Sequence, residues 1–103
     1  MIRVLIERYI AEDCLDEYFD MIRRAKNKAS NVPGFLAGEV FETAGEPCHV
    51  IVMSTWDSVD SWETWAESEQ RQCLLREMRP LLTADETILV LEPHSLKAPE
   101  HIN

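Results

Sequence analysis

The sequence lacks the patterns of the commonest nucleotide-dependent and metal-dependent proteins. Only 3 of its 103 residues are glycine, and it has no glycine-rich loop of the kind that cradles phosphate groups. No group of His, Cys, Asp and Glu residues has the spacing of metal ligands. Serine, histidine and aspartate do not follow one another in the order of a hydrolase triad. We therefore expect neither a metal site nor a nucleotide-dependent reaction.

Positive charge is also scarce. The chain has 10 Lys and Arg residues against 19 Asp and Glu residues, which gives a formal net charge of -9. A surface this acidic repels the phosphates of nucleic acids and the headgroups of anionic membranes. We expect the protein to bind neither nucleic acid nor a membrane.

Long apolar runs and cysteine pairs are absent too. No apolar stretch approaches the roughly 20 residues that a membrane-spanning helix requires. The apolar run at the start of the chain is interrupted by Arg3, Glu7 and Arg8, which does not fit a signal peptide. The three cysteines form no C-x-x-C pair, so they indicate neither a zinc knuckle nor a redox dithiol. This combination is typical of a cytoplasmic protein with reduced cysteines.

The periodicities that are present predict one small α+β domain. Residues 2–10 alternate as a strand does, and helical spacing begins near Asp13, which we expect to be the N-cap, and ends at Pro33 and Gly34. The later elements are strands over residues 35–43 and 49–56, a helical region capped by Asp57 or Ser58 and reaching Leu82, and a strand over residues 86–92. Polar residues at 67–72 predict a break within the helical region.

The order β-α-β-β-α-β is the ferredoxin-like plan, in which both helical layers cover one face of a four-stranded antiparallel sheet. The third and fourth strands are apolar on both of their faces, so the second face of the sheet also needs cover. A second copy of the chain packed sheet to sheet is the simplest cover. We expect one domain over residues 1–93, a homodimer through the sheet face, and a tail over residues 94–103.

Three segments within these elements carry a further signal. They are the opening strand Met-Ile-Arg-Val-Leu-Ile-Glu-Arg at residues 1–8, the turn Val-Pro-Gly-Phe at 32–35, and the block Ser-Thr-Trp-Asp-Ser at 54–58 that leads to Trp62 and Trp65. Together they resemble the antibiotic biosynthesis monooxygenase-like (ABM) family of dimeric α/β-barrel proteins, over residues 1–93. The resemblance implies an enzyme that oxidises a quinol-like aromatic with O2 and needs no cofactor.

The same family includes haem-degrading enzymes, and the resemblance can be followed residue by residue. Those enzymes use an Asn on the first strand, a Trp on the helix after the third strand, and a haem-ligating His further along. The corresponding positions in this chain are Arg8 (or Glu7 if the gap is placed differently, although the strand phase favours Arg8), Trp65 and Leu75. Only the Trp matches, and a leucine cannot ligate iron, so the match to haem degradation is poor. Other members carry a His at the position of Trp65, a pattern from which this chain departs.

Arg8 is the most informative single residue because it occurs in the strand phase of Ile2, Val4 and Ile6, which should face the helices. A buried guanidinium needs a partner, and it would suit an anion or phenolate clamp in a pocket between sheet and helices. The alternative is a residue at the strand end whose charge reaches water.

Aromatic residues supply the candidate binding surface. Trp56, Trp62 and Trp65 would wall a pocket for a flat apolar ligand. The alternative is core packing, which is favoured for Trp62 on the inner helical stripe and is an equal explanation for Trp65. His49 is the best candidate proton acceptor near neutral pH, with Tyr9 as a second candidate. A lone histidine is, however, more often a surface or interface residue.

Two functions of different classes remain open, and a third ranks below them in agreement with the sequence. The first is a cofactor-independent monooxygenase in which Arg8 stabilises the substrate anion, Trp65 stacks on its ring, and His49 or Tyr9 moves the proton. The second is a non-catalytic member that binds a small hydrophobic ligand. The third is a haem-binding protein. We interpret the late arginines Arg71, Arg76 and Arg79 as a solvated helix face.

Overall fold

The computed structural model of the protein describes residues 1–96 and contains within them one antiparallel sheet, three α-helices and two short 3₁₀ helices. The strands are β1 (Ile2–Tyr9), β2 (Phe35–Thr43), β3 (Glu46–Trp56) and β4 (Thr87–Leu91); the helices are α1 (Leu15–Ala29), α2 (Val59–Ala66) and α3 (Glu69–Met78). The strand order is β2-β3-β1-β4. This confirms the predicted ferredoxin-like α+β class. Most of the predicted tail, from residue 97 onward, lies outside the described residues.

Helix α1 begins later than the sequence predicts. Asp13 lies in the 3₁₀ helix before it, and Cys14 occupies the N-cap position without a side-chain cap bond. The prediction that Asp13 caps the helix is therefore wrong. Asp16 and Glu17 still occupy the first turn, where carboxylates interact favourably with the positive end of the helix dipole.

The predicted break in the second helical region separates α2 from α3. Ser58 caps α2 by accepting a hydrogen bond from the amide of Ser61, and Ser68 caps α3 by accepting one from the amide of Arg71. Two caps in eleven residues stop one helix and start another on a new axis. The second cap sets which residues of α3 face inward.

The turn before β2 joins two distant parts of the chain. Gly34 has a φ of +92° and its carbonyl accepts a hydrogen bond of 2.8 Å from the amide of Asp57. A Cβ at Gly34 would overlap the Ser61 hydroxyl and the Asp57 carboxylate. The same hydroxyl donates to that carboxylate at 2.6 Å, and this bond lowers the pKa of Asp57. The turn thus fixes where β2 begins relative to α2.

Gly34→Ala will destabilise the protein more than Gly45→Ala, its matched control. Both glycines have positive φ, but a Cβ at Gly45 would meet nothing within 4 Å. We expect the control to lose about 1 kcal/mol from the backbone conformation alone, and Gly34→Ala to lose roughly 2 kcal/mol more because of the overlap. Urea unfolding of the two variants measures the difference. Equal losses would contradict the packing of this turn.

Two apolar clusters fill the space between the sheet and the helices. One is built around Trp56 and Trp62, and the other around Tyr18 and Met78. Strand β1 contributes a buried residue at every second position, and Arg8 continues that row toward the strand end. The predicted inward phase of β1 is therefore correct.

The other side of the sheet carries no helix. The strand registers place Leu5, Tyr9, Phe41, Ile51, Met53 and Leu89 together on this side, and we call these residues the open sheet face. Phe41 and Leu89 are 47% and 50% exposed. Ile88 and Val90 are exposed on the helix side of the edge strand β4, so β4 lacks cover on both faces. A large apolar surface is left without a partner in the single chain.

Candidate functional site

A cavity of about 90 Å³ lies between the inner face of the sheet and the helices. Its aromatic wall consists of Phe35, Trp56, Trp62 and Trp65. Lys26 on α1 and Val40 on β2 also line it and are exposed, so the cavity reaches the surface between these two elements. The lining is mostly apolar, as in pockets that hold small organic molecules.

The three tryptophans meet at this wall because β3 leads directly into α2. Trp56 ends β3 and packs edge to face against Trp62 at 5.8 Å and against Phe35 at 5.2 Å between ring centroids. Its indole N–H donates to the Ser54 hydroxyl at 2.9 Å. Trp65, one turn after Trp62, is 6% exposed and lines the cavity. All three candidate binding residues thus lie at one site.

Arg8 is buried in the same region. Its Nε and Nη2 lie 2.9 and 2.8 Å from Oε2 of Glu86, and its Nη1 donates to the Tyr18 hydroxyl at 3.0 Å. Its side chain is 5% exposed, so the charge does not reach water. Burial raises the pKa of Tyr18, which the positive charge of Arg8 opposes. Tyr18 is therefore a neutral hydrogen-bond partner at ordinary pH.

Arg71 is the residue that the sequence analysis placed wrongly. We predicted a solvated position for it along with Arg76 and Arg79; those two are exposed, but the Arg71 side chain is only 8% exposed. The cap at Ser68 sets the phase of α3 so that Arg71 shares its inner stripe with Leu74, Leu75 and Met78. These three residues follow Arg71 by three, four and seven positions, a spacing that is visible in the sequence and could have identified it.

Arg71 and Arg8 share one carboxylate. Nη2 of Arg71 lies 3.3 Å from Oε1 of Glu86, whose other oxygen binds Arg8. The guanidinium carbon of Arg71 is 5.3 Å from the ring centroid of Trp62, a cation–π distance. Burial lowers the pKa of Arg71, and the charge of Glu86 opposes this. Two buried cations with one partly buried anion leave a positive charge beside an aromatic cavity.

His49 and Tyr9 lie on the open sheet face, not at the cavity. Their rings stack at 4.5 Å, with 2° between the planes. The His49 Nε2 is 2.6 Å from a carboxylate oxygen of Glu7, and its Nδ1 is 2.9 Å from the Thr43 hydroxyl. The structure therefore does not bring these two candidates together with Arg8 and Trp65, because the sheet separates them.

The haem alternative can be compared with the cavity directly. Leu75, at the position where haem-degrading relatives carry the ligating histidine, is buried and lines the cavity. No histidine is among the lining residues of this cavity. Within residues 1–96, no three or more His, Cys, Asp and Glu side chains are grouped so as to hold a metal ion. In the same range, no helix is both long and apolar enough to cross a membrane.

Known proteins of similar sequence and structure point to one family. SchA of Streptomyces halstedii is 24% identical over 79 residues, which cover 77% of this chain and 21% of SchA. The chain thus matches about a fifth of that relative's length. Two solved structures share the fold: Rv0793 of Mycobacterium tuberculosis and SnoaB of Streptomyces nogalater, which is described as a cofactor-independent oxygenase.

The structural likeness to these two proteins extends over nearly the whole of each chain. Rv0793 has a TM-score of 0.82 at 13% identity, covering 94% of this chain and 98% of its own; SnoaB has a TM-score of 0.79 at 13% identity, covering 96% and 98%. The sequence profile of the family described as antibiotic biosynthesis monooxygenase matches residues 1–76. The cavity, the fold and this match lead to one conclusion: the chain belongs to the antibiotic biosynthesis monooxygenase family.

Proposed function

We propose that this protein is a cofactor-independent monooxygenase that oxidises a small quinol-like aromatic with O2. The observation that carries the proposal is a buried pair of guanidinium groups beside the tryptophan wall of an apolar cavity. An aromatic wall suits a flat ring, and uncompensated positive charge in a dry cavity suits an anion. A reduced aromatic anion is the kind of substrate that can give electrons to O2 without help.

The positive charge of the two arginines promotes the chemical step by favouring ionisation of the substrate. A phenol or quinol reacts with O2 as its anion, and a nearby cation favours the charged form of such an acid. Arg71 and Arg8 would therefore lower the substrate's pKa enough for water at the cavity mouth to take the proton. His49 and Tyr9 have no part in this scheme because they lie across the sheet.

The reaction balances without an external reductant. One ring C–H of the quinol becomes C=O with an oxygen atom from O2. The other oxygen atom leaves as water with that hydrogen and the hydrogen of one ring O–H. The substrate supplies all the electrons. The protein holds the ring, stabilises the anion and keeps bulk water away from the reacting carbon.

Oxygen uptake tests this proposal. With a panel of hydroquinones and polycyclic phenols, we expect uptake well above autoxidation in the wild type. Trp65→Phe and Arg71→Gln should each reduce kcat/KM by about tenfold to a thousandfold, since each removes a group that contacts the ring or its charge. Arg76→Gln, on the exposed side of α3, should leave the rate unchanged. If no substrate of the panel gave oxygen uptake, the proposed oxygenase activity would be refuted.

A non-catalytic binding role is the second candidate. It is favoured by one observation: the cavity lining contains no histidine, and its one acidic residue, Glu39, lies in the strand phase of the open sheet face. The cavity would then hold a small hydrophobic ligand through the same tryptophans. Saturable binding of the phenols, measured by calorimetry, without any oxygen uptake would select this role.

We further propose that two copies associate through the open sheet face. This side of the sheet carries the apolar residues named above together with Arg3, Glu7, Glu39 and His49, it has no cover in the single chain, and it continues onto β4 at the edge. A sheet packed on its own copy would bury the same residues from both sides in a two-fold arrangement. The stacked Tyr9 and His49 would then lie within the interface, where a satisfied polar group such as the Glu7–His49 pair is tolerated.

A further inference from the structure

The hydrogen bonds of the two buried arginines are unequal. Arg8 uses all three of its guanidinium nitrogens on protein groups, Glu86 and Tyr18. Arg71 makes one bond, from Nη2 to Glu86, and that bond is long at 3.3 Å. Among the bonds of residues 1–96, Nε and Nη1 of Arg71 have no side-chain or backbone acceptor.

The unused donors of Arg71 border open space. Within the described residues, no polar side-chain atom that is sealed from solvent lacks a hydrogen-bond partner. The unpaired nitrogens of Arg71 are therefore not sealed, although its side chain is only 8% exposed. Arg71 is one of the residues that line the cavity. Its remaining donors are available to a molecule in that cavity.

We infer that the cavity selects aromatic monoanions, and that Arg71 binds their anionic oxygen atoms, whether of a phenolate or of a carboxylate. The net charge of the site determines the charge of the ligand: two guanidinium groups and one carboxylate leave a single positive charge for the ligand to compensate. The side chains at the site determine the chemical class of the ligand. A planar guanidinium matches a carboxylate. Trp62, which lies beneath Arg71, and Trp65 offer contacts to an aromatic ring. A small inorganic anion would lose its hydration in this apolar lining and gain no ring contact.

Arg8 and Glu86 have a different task in this scheme. Glu86 is held by Arg8 through two contacts below 3 Å and only weakly by Arg71. Its main partner is thus Arg8, and Arg71 remains partly free for a ligand. Arg8 and Glu86 act as positioning residues that hold Arg71 and set the net charge. This inference names the substrate class of the proposed oxygenase, but binding can be measured without turnover.

The test compares two probes of equal shape and different charge, 2-naphthoate and 2-naphthamide, by calorimetry at pH 7. We expect the wild type to bind the anion about tenfold or more tightly than the amide. Arg71→Gln should abolish this preference, while Arg76→Gln on the exposed helix face should keep it. Arg71→Lys should restore part of it, because the charge returns without the planar donors.

A second variant gives an effect of the opposite sign. Glu86→Gln removes the internal anion, so the preference for naphthoate should rise by about tenfold over the wild type. Equal affinity for the two probes in the wild type would overturn the inference, as would a preference that survives in Arg71→Gln or disappears in Arg76→Gln. Selective binding of the anion without oxygen uptake would refute only the proposed oxygenase activity. Uptake from neutral substrates without anion preference would refute only this inference.

Discussion

Glu86→Gln will lower the free energy of unfolding by about 3 to 5 kcal/mol, because it leaves two buried guanidinium groups without a counter-ion. The Glu86 side chain is 16% exposed and lies between Arg8 and Arg71. An amide of equal size can still accept a hydrogen bond but cannot compensate charge. The loss should appear as a lower midpoint in urea with little change in the slope.

The matched control for this change is Glu69→Gln. Glu69 also pairs with an arginine, Arg76, but both side chains are exposed, at 85% and 60%. Exposed pairs contribute less than about 1 kcal/mol, so the control should unfold almost as the wild type does. Added naphthoate should restore part of the stability of Glu86→Gln, since the ligand supplies the missing negative charge. Equal stability of the two variants would contradict the shared-carboxylate arrangement.

Leu89→Glu will convert the proposed homodimer into a monomer. Leu89 lies on the open sheet face and is 50% exposed in the single chain, so a charge there costs the monomer little. In a sheet-to-sheet dimer the same carboxylate would be buried without a partner, and two-fold symmetry would place it there twice. We expect the dissociation constant to rise by at least about a hundredfold, which sedimentation at micromolar concentrations will show.

Asn27→Glu is the control for this second prediction. It adds the same charge on α1, where Asn27 is exposed and far from the open sheet face in the topology. This variant should sediment as the wild type does. A wild type that is monomeric at every concentration, or a Leu89→Glu variant that remains dimeric, would contradict a dimer through this face.

The fold was predictable because its signals are local. Alternation in β1 and spacing in α1 depend only on neighbouring residues, and the break before α3 follows from polar residues around Ser68. The inward position of Arg8 followed from its strand phase in the same way. The wrong N-cap at Asp13 shows the limit: a 3₁₀ turn between strand and helix shifts the start by one residue with no change in pattern.

The candidate site was only partly predictable. The tryptophans and Arg8 were named from the sequence, and the structure places them at one cavity. The same alternation that turns Arg8 inward turns Tyr9 outward, so its separation from the cavity was implicit in the strand phase. His49 joins Tyr9 only through the register of β1 and β3, which no local pattern specifies.

The sequence by itself determined the order of the elements, the face that each strand turns inward, and the aromatic character of the region between them. Only the tertiary structure decided which partners the buried charged side chains have. Arg8 and Glu86 are 78 positions apart and meet because β4 pairs with β1, while Arg71 reaches them from a separately capped helix. Sequence periodicity indicates which residues are buried. It does not indicate the partner of a buried charge, because that partner comes from whichever distant element packs within contact distance.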